Sequence, residues 1–224
     1  NYWIRDSESG DVGNDGGGYM FSINWFMAEE QLQKYDGIWS GEVSWDTVNF
    51  YKDYVGTLSN NENLAGHLQK QIKIENLPVT IRDDLMKNFK KPEVTEYVSK
   101  YKDTLNPIPP IKLETTWVNH MKKHEFNPLH RHGGLFSFVV FIQIPYDLSE
   151  EDKVFPDTPD KKTSRLGFVF NEPLAGPEEI TLDVDESFIG KMVLFDAKLP
   201  HIVYPFYTSN ECRITASGNV VFAP

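Results

Sequence analysis

The chain has 224 residues, with 33 acidic side chains against 22 Lys and Arg, six histidines and a single cysteine. One core of ordinary size fits this length, so a single domain over residues 1–224 is expected. The net charge of −11 disfavours nucleic acid, whose binding rests on Lys and Arg neutralising phosphates. No stretch reaches the roughly 18 apolar residues of a membrane-crossing helix. The lone Cys212 excludes an internal disulfide and a thiolate-rich zinc site, so any metal would be held by nitrogen and oxygen ligands.

Along the chain, the first sixty residues hold ten acidic and three basic side chains, and they open on NYWIRD without a basic-then-apolar leader, which points to a cytoplasmic setting. Asp6 to Gly18, DSESGDVGNDGGG, is polar and glycine-rich and reads as a mobile surface loop or a lid that orders over a site. From Asn61 to Leu105 the pattern turns helical: Ile81, Leu85 and Phe89 are spaced by four, and Val94, Tyr97, Val98, Tyr101 and Leu105 form one stripe. Pro92 suits the first turn of the second helix, and NPIPP at Asn106–Pro110 ends it. Residues 1–110 are therefore expected to be a loop and support helices.

From Ile111 the period changes to two. IKLETTWVN, LFSFVVFIQI, RLGFVF, EITLDV, KMVLFD, HIVYPF and CRITASGNVVF read as short strands separated by turns, so residues 111–224 are expected to form a sandwich or barrel, and a jelly roll within an α+β chain is the reading. LSEEDKVFPDTPDKK at Leu148–Lys162 reads as a solvated hairpin excursion. Phe136, Phe138, Phe141, Phe168, Phe170, Phe195 and Trp117 alternate as core residues do.

The candidate chemistry lies in FNPLHRHGGLFSFVVFIQIP, Phe126–Pro145. In a strand, residues two apart share a face, so His130 and His132 can aim at one ion while Arg131 points away. A solvated surface pair is the plain alternative. His201 opens a later strand and Arg213 lies in the next, so adjacent antiparallel strands would bring them together. Thr215 and Ser217 share the face of Arg213 and add hydroxyls to a bidentate cation, which is the chemistry of a carboxylate receptor. His120 and His124, about the MKKHEF turn, and His67, on a predicted helix, read as solvated.

These pieces resemble the iron(II) and 2-oxoglutarate dependent oxygenases, most closely a branch found among bacteriophages with an HxH motif. The resembling stretches are TWVN (Thr116–Asn119), NPLHRHGGLFSFVVFIQIP, LFDAKLPHIVYPFYTS and RITASGN, with NENLAGH (Asn61–His67) matching more loosely. The resemblance implies a double-stranded β-helix that binds Fe(II) and 2-oxoglutarate and couples oxidative decarboxylation of the co-substrate to hydroxylation of a small-molecule or protein substrate. It implies His130 and His201 as metal ligands, Arg213 and Thr215 as receivers of the C5 carboxylate, and Asn119 as a contact to co-substrate or substrate. If the chain is viral, its setting is the host cytoplasm.

One position departs from that pattern. Most of the superfamily carries Asp or Glu two residues after the first histidine, giving two histidines and a carboxylate; here His132 stands there. A three-histidine centre is the preferred reading, ahead of two histidines with water, or a carboxylate from elsewhere such as Asp196. Glu125, Asn127, Asn119 or backbone carbonyls are candidates to hold the second ring nitrogens. Two rival functions remain open from the residues alone: a jelly-roll interaction module holding structural zinc or no metal, and a cupin-like three-histidine enzyme that does not use 2-oxoglutarate.

Overall fold

A computed structural model describes residues 18–54, 67–172, 174 and 176–224. The Asp6–Gly18 segment, except Gly18 itself, and residues 61–66 of the NENLAGH stretch lie outside the described residues.

The seven expected strands form, with ends shifted by a few residues, and they join others into two antiparallel sheets. The larger sheet runs β1 (Ile38–Glu42), β8 (Lys191–Asp196), β5 (Phe136–Gln143), β10 (Arg213–Phe222), β3 (Ile111–Met121), β2 (Lys70–Ile74). The smaller runs β4 (Asn127–His130), β9 (His201–Val203), β6 (Leu166–Glu172), β7 (Gly176–Leu182). This is the double-stranded β-helix of an α+β chain.

Side-chain alternation assigns each face of the larger sheet. Met121, Phe141, Val193 and Phe195 point towards the smaller sheet and meet Leu166, Phe168, Ile180 and Leu182. The helix α1 (Gly18–Leu32) closes this core with Trp25, Ala28 and Leu32, spaced by three and four on one stripe. On the outer face Val118, Phe136, Phe138, Val140, Leu194 and Ala216 are covered by α2 (Trp45–Asp53), α3 (Val79–Met86) and α4 (Pro92–Ser99) through Val48, Tyr51, Ile81, Leu85 and Val94. Burial of these side chains is worth about 1.5–3 kcal/mol apiece. Gly218 lets β10 lie flat beneath this layer, because a Cβ there would stand 2.6 Å from both the Phe138 ring and the Thr115 carbonyl.

Two parts of the sequence reading change. The stretch from Asn61 is not helical throughout: KQIKI at Lys70–Ile74 is a strand on the sheet edge, with Ile72 and Ile74 facing one way and Gln71 the other. Five residues with period two were masked by the helical stripes that follow them. With β1, this strand brings residues before 111 into the sheet itself rather than leaving them only as support. The Leu148–Lys162 excursion is also not simply solvated, since it opens with a short helix α5 (Leu148–Glu151) whose Glu151 is fully buried.

Candidate metal centre and co-substrate pocket

β4 and β9 pair so that His130 and His201 are register partners. Two residues on, the His132 amide donates to the Ala197 carbonyl at 2.8 Å, which returns the chain towards the end of β8. The three imidazoles converge: ring centroids are 4.2 Å apart for His130 and His201, and 5.0 Å for each pair involving His132. One nitrogen from each lies within 4.8 Å of the others. Small ring rotations suffice to reach the ~3 Å spacing that metal–nitrogen bonds of about 2.1 Å require on one face of an ion.

The tautomers are fixed from behind. His130 Nδ1 lies 2.7 Å from the Pro128 carbonyl and His201 Nδ1 3.1 Å from that of Leu199. A carbonyl only accepts, so Nδ1 carries the hydrogen in both rings and Nε2 keeps its lone pair for an ion. Backbone carbonyls therefore fill this role; Glu125 instead accepts from the amides of Gln69 and Lys122. Burial disfavours the charged rings, lowering the pKa of His130, of His132 to about 4 and of His201 to about 3. All three are neutral at pH 7, and a metal displaces no proton from them.

No carboxylate joins the group among the described residues. Asp196 accepts from the Tyr97 hydroxyl and from the Lys198 amide, at the end of β8 away from the rings. His120 is not solvated as expected. β3 runs on to Met121, which half-buries the His120 ring on the helix-facing side, its Nε2 without a partner among the described residues, and burial there lowers its pKa. His67 precedes β2 in irregular chain, exposed against Phe126, and His124 is exposed beside Tyr207.

Arg213 opens β10 on the interior face, 3% exposed. It does not sit on a strand beside His201, as the sequence suggested: β9 and β10 belong to different sheets, and the two residues face the common interior from opposite layers. The short β9 is claimed by β4 and β6, and the turn after it carries the chain across the sandwich. Arg213 donates from Nη1 to the Ser164 carbonyl at 2.8 Å and the Tyr146 hydroxyl at 3.2 Å, and from Nη2 to Met121 Sδ at 2.8 Å and the Tyr204 carbonyl at 3.4 Å. All four acceptors are neutral. Arg165, equally buried, is held by Asp152 at 2.6 Å and Asp183 at 2.7 Å. Among the described residues no carboxylate pairs with Arg213.

The next residues on this face, Thr215 and Ser217, are joined to β3 by Asn119, whose Nδ2 donates to both hydroxyls at 3.3 Å. Asn119 Oδ1 accepts from Gln71 Nε2 at 2.6 Å. Trp117, one step further along β3, is half-buried with its ring 5.8 Å from that of His132.

Residues 115–219 match the family model described as a putative 2OG-Fe(II) oxygenase. The match runs from β3 to β10 and takes in both the histidine cluster and Arg213. The cofactors are iron(II) and 2-oxoglutarate, and the donor set fits them: three neutral imidazoles for the ion, and for a dianion a buried cation that meets no carboxylate among the described residues. Among solved structures, the chain is similar to a prolyl-4-hydroxylase of Pseudomonas putida, with TM-score 0.52 and 11% identity over 88% of this chain and 98% of that one. It is also similar to an oxidoreductase of the 2OG-Fe(II) oxygenase family from Burkholderia pseudomallei (TM-score 0.47, 11% identity, 93% and 91% covered). A third is the viral collagen prolyl hydroxylase of Paramecium Bursaria Chlorella virus-1, in complex with 2OG (TM-score 0.46, 12% identity, 84% and 97% covered). At these identities the likeness is one of fold. No curated protein matches the sequence.

Several residues around this site carry no signal in the sequence. Gln71 lies on a strand that was read as helix, and Tyr146, Ser164 and Tyr204 reach Arg213 through loops without motif character. Trp117 was within reach, because its alternation with Asn119 puts it on the same face.

Proposed function

We propose that this oxygenase is a hydroxylase with a three-histidine iron centre, in which His130, His132 and His201 hold the metal and Arg213 with Thr215 receives the C5 carboxylate of 2-oxoglutarate. The observation that carries the reading is the contrast between two buried arginines: Arg165 has two carboxylates, whereas Arg213 has none among the described residues. A charge left uncompensated in a protein interior is costly unless a ligand completes it. A structural zinc module would have no use for such a residue across the interior from its metal.

Bound together, iron(II) and 2-oxoglutarate supply an oxidant strong enough to hydroxylate a C–H bond, with succinate and carbon dioxide as co-products. The chain contributes binding and shelter. Nε2 of His130 and His201 is presented with its lone pair free, and the ring orientation is locked by the Pro128 and Leu199 carbonyls. With an imidazole in place of the usual carboxylate, the ligand set is one unit more positive, which favours a dianionic co-substrate. Phe195 and Phe168, centred 4.7 Å and 6.0 Å from the His201 ring, exclude water on that side. The half-buried Trp117 beside His132 marks the side from which a substrate, small molecule or protein side chain, would approach.

Anaerobic loading with iron(II), followed by titration with 2-oxoglutarate, tests the reading. A metal-to-ligand absorption band is expected as the keto acid chelates, and admission of oxygen should then yield succinate. Absence of the band in the iron-loaded protein would reject it.

A further inference from the structure

Gln71 stands on the edge strand β2, directly opposite Asn119, and is 7% exposed. Its Nε2 donates to Asn119 Oδ1 at 2.6 Å. An amide carries oxygen on one side and NH2 on the other, so this bond turns Asn119 Nδ2 towards β10, where its two hydrogens meet Thr215 Oγ1 and Ser217 Oγ. A hydroxyl has one hydrogen. Having accepted from Asn119, each keeps that hydrogen for the interior.

We propose that Gln71 is a positioning residue for the co-substrate: through the Asn119 amide it makes Thr215 and Ser217 present hydrogens, rather than lone pairs, to the carboxylate end of 2-oxoglutarate. This rests on the assignment of Arg213 and Thr215 to that carboxylate. The opposite sense is available in principle, since both amides can turn over together and keep their mutual bond. Asn119 Oδ1 would then take the hydroxyl hydrogens, and two lone pairs would face an anion. An anionic ligand selects the sense seen here, because it gains two donors in one sense and meets two acceptors in the other. Asn119 in this account touches no co-substrate itself, as both its polar atoms are engaged by the protein.

The test measures 2-oxoglutarate affinity of the full chain loaded anaerobically with iron(II), by the absorption band and by calorimetry, with iron affinity and Tm recorded for each variant. Gln71→Glu can only accept, so it draws Asn119 Nδ2 to itself and reverses both hydroxyls. The 2-oxoglutarate Kd should rise about tenfold or more, given roughly two- to twelvefold per hydrogen bond, with iron affinity unchanged. Gln71→Lys can only donate, holds Asn119 in the native sense and should keep the parent affinity. In a Thr215→Val, Ser217→Ala background, Gln71→Glu should add less than about twofold, since the groups it acts through are gone. Parent affinity in Gln71→Glu, a loss in Gln71→Lys, or an undiminished Gln71→Glu effect in the background lacking both hydroxyls would overturn the proposal. If Gln71→Glu does not fold, Gln71→Met, which leaves the Asn119 amide free to turn over, takes its place: it should weaken 2-oxoglutarate binding with iron affinity unchanged, and parent affinity there would overturn the proposal. Arg213→Ala separates the two levels: if it too leaves 2-oxoglutarate affinity intact, the pocket assignment itself falls, whereas loss there with parent affinity in Gln71→Glu removes only the relay.

Discussion

His130 and His201 face each other as register partners of the β4–β9 pair, and each has its Nδ1 hydrogen given to a carbonyl two residues earlier in its own chain. The same local device thus points two Nε2 lone pairs at one place from two strands. His130→Ala and His201→Ala should each reduce bound iron(II) to near zero in metal analysis while leaving the apoprotein folded. His132→Ala should also lose most of its iron; full retention would leave a two-histidine centre. His132→Asp should keep iron yet bind 2-oxoglutarate more weakly, because the ligand set becomes one unit less positive.

Arg213→Ala should forfeit about 2–5 kcal/mol of 2-oxoglutarate binding, the range for removing one partner of a buried charge pair. Lys restores the charge without the planar fork and should recover part of it. Thr215→Val should cost about 0.5–1.5 kcal/mol. Titration of the iron-loaded variants ranks them, and any other order counts against the carboxylate receptor.

Burying a guanidinium among neutral acceptors has a consequence for the apoprotein. Arg213→Met, which fills similar volume without charge, should raise the Tm of ligand-free protein by a few degrees, in line with the gain of about 1–4 kcal/mol seen when buried ionic groups give way to apolar ones. Added 2-oxoglutarate should stabilise the parent and not this variant. Thermal scans with and without the keto acid make the comparison.

Glu151 is fully buried and accepts from the amides of Tyr207 and Thr208 and from the Thr208 hydroxyl. It clamps the segment that lends the Tyr204 carbonyl to Arg213. Glu151→Ala strands three donors and should destabilise the fold by about 3 kcal/mol or more, read by denaturant titration. Glu151→Gln should lose less, since one amide oxygen can still accept.

At the start of α2, Asp84 accepts from the Ser44 amide, the Ser44 and Thr47 hydroxyls and Lys87. Burial alone would raise this carboxyl, but the hydrogen bonds outweigh it and hold the pKa at about 2, below the ordinary 3.8. A depressed carboxyl stabilises the fold above its unfolded pKa, and that contribution is lost as pH falls through its folded one. Wild type should therefore lose stability between about pH 4 and pH 2 more steeply than Asp84→Asn, which should be weaker by about 1 kcal/mol at neutral pH.

The strand half of the chain was legible because period-two runs such as KMVLFD carry their own burial pattern, and the spacing of His130, His132 and His201 survives folding as a cluster. What sequence could not supply was which sheet each strand joins. β9 has three residues, too few to declare its partners, so Arg213 was placed beside His201 instead of across from it. Gln71 was hidden for a related reason: its role depends on a register with Asn119 that is 48 residues distant in sequence.

β10 lies between β5 and β3, in the middle of the larger sheet, although its residues follow those of every other strand. During synthesis β3 and β5 thus leave the ribosome with a vacant lane between them, unable to pair until residues 213–222 emerge. The nascent chain must hold two hydrophobic edges open for more than 70 residues of elongation, a state prone to mispairing. Such a topology makes assembly late and all at once, and a translation that stalls before Arg213 would yield chains fit for chaperone capture or degradation rather than a weakened enzyme.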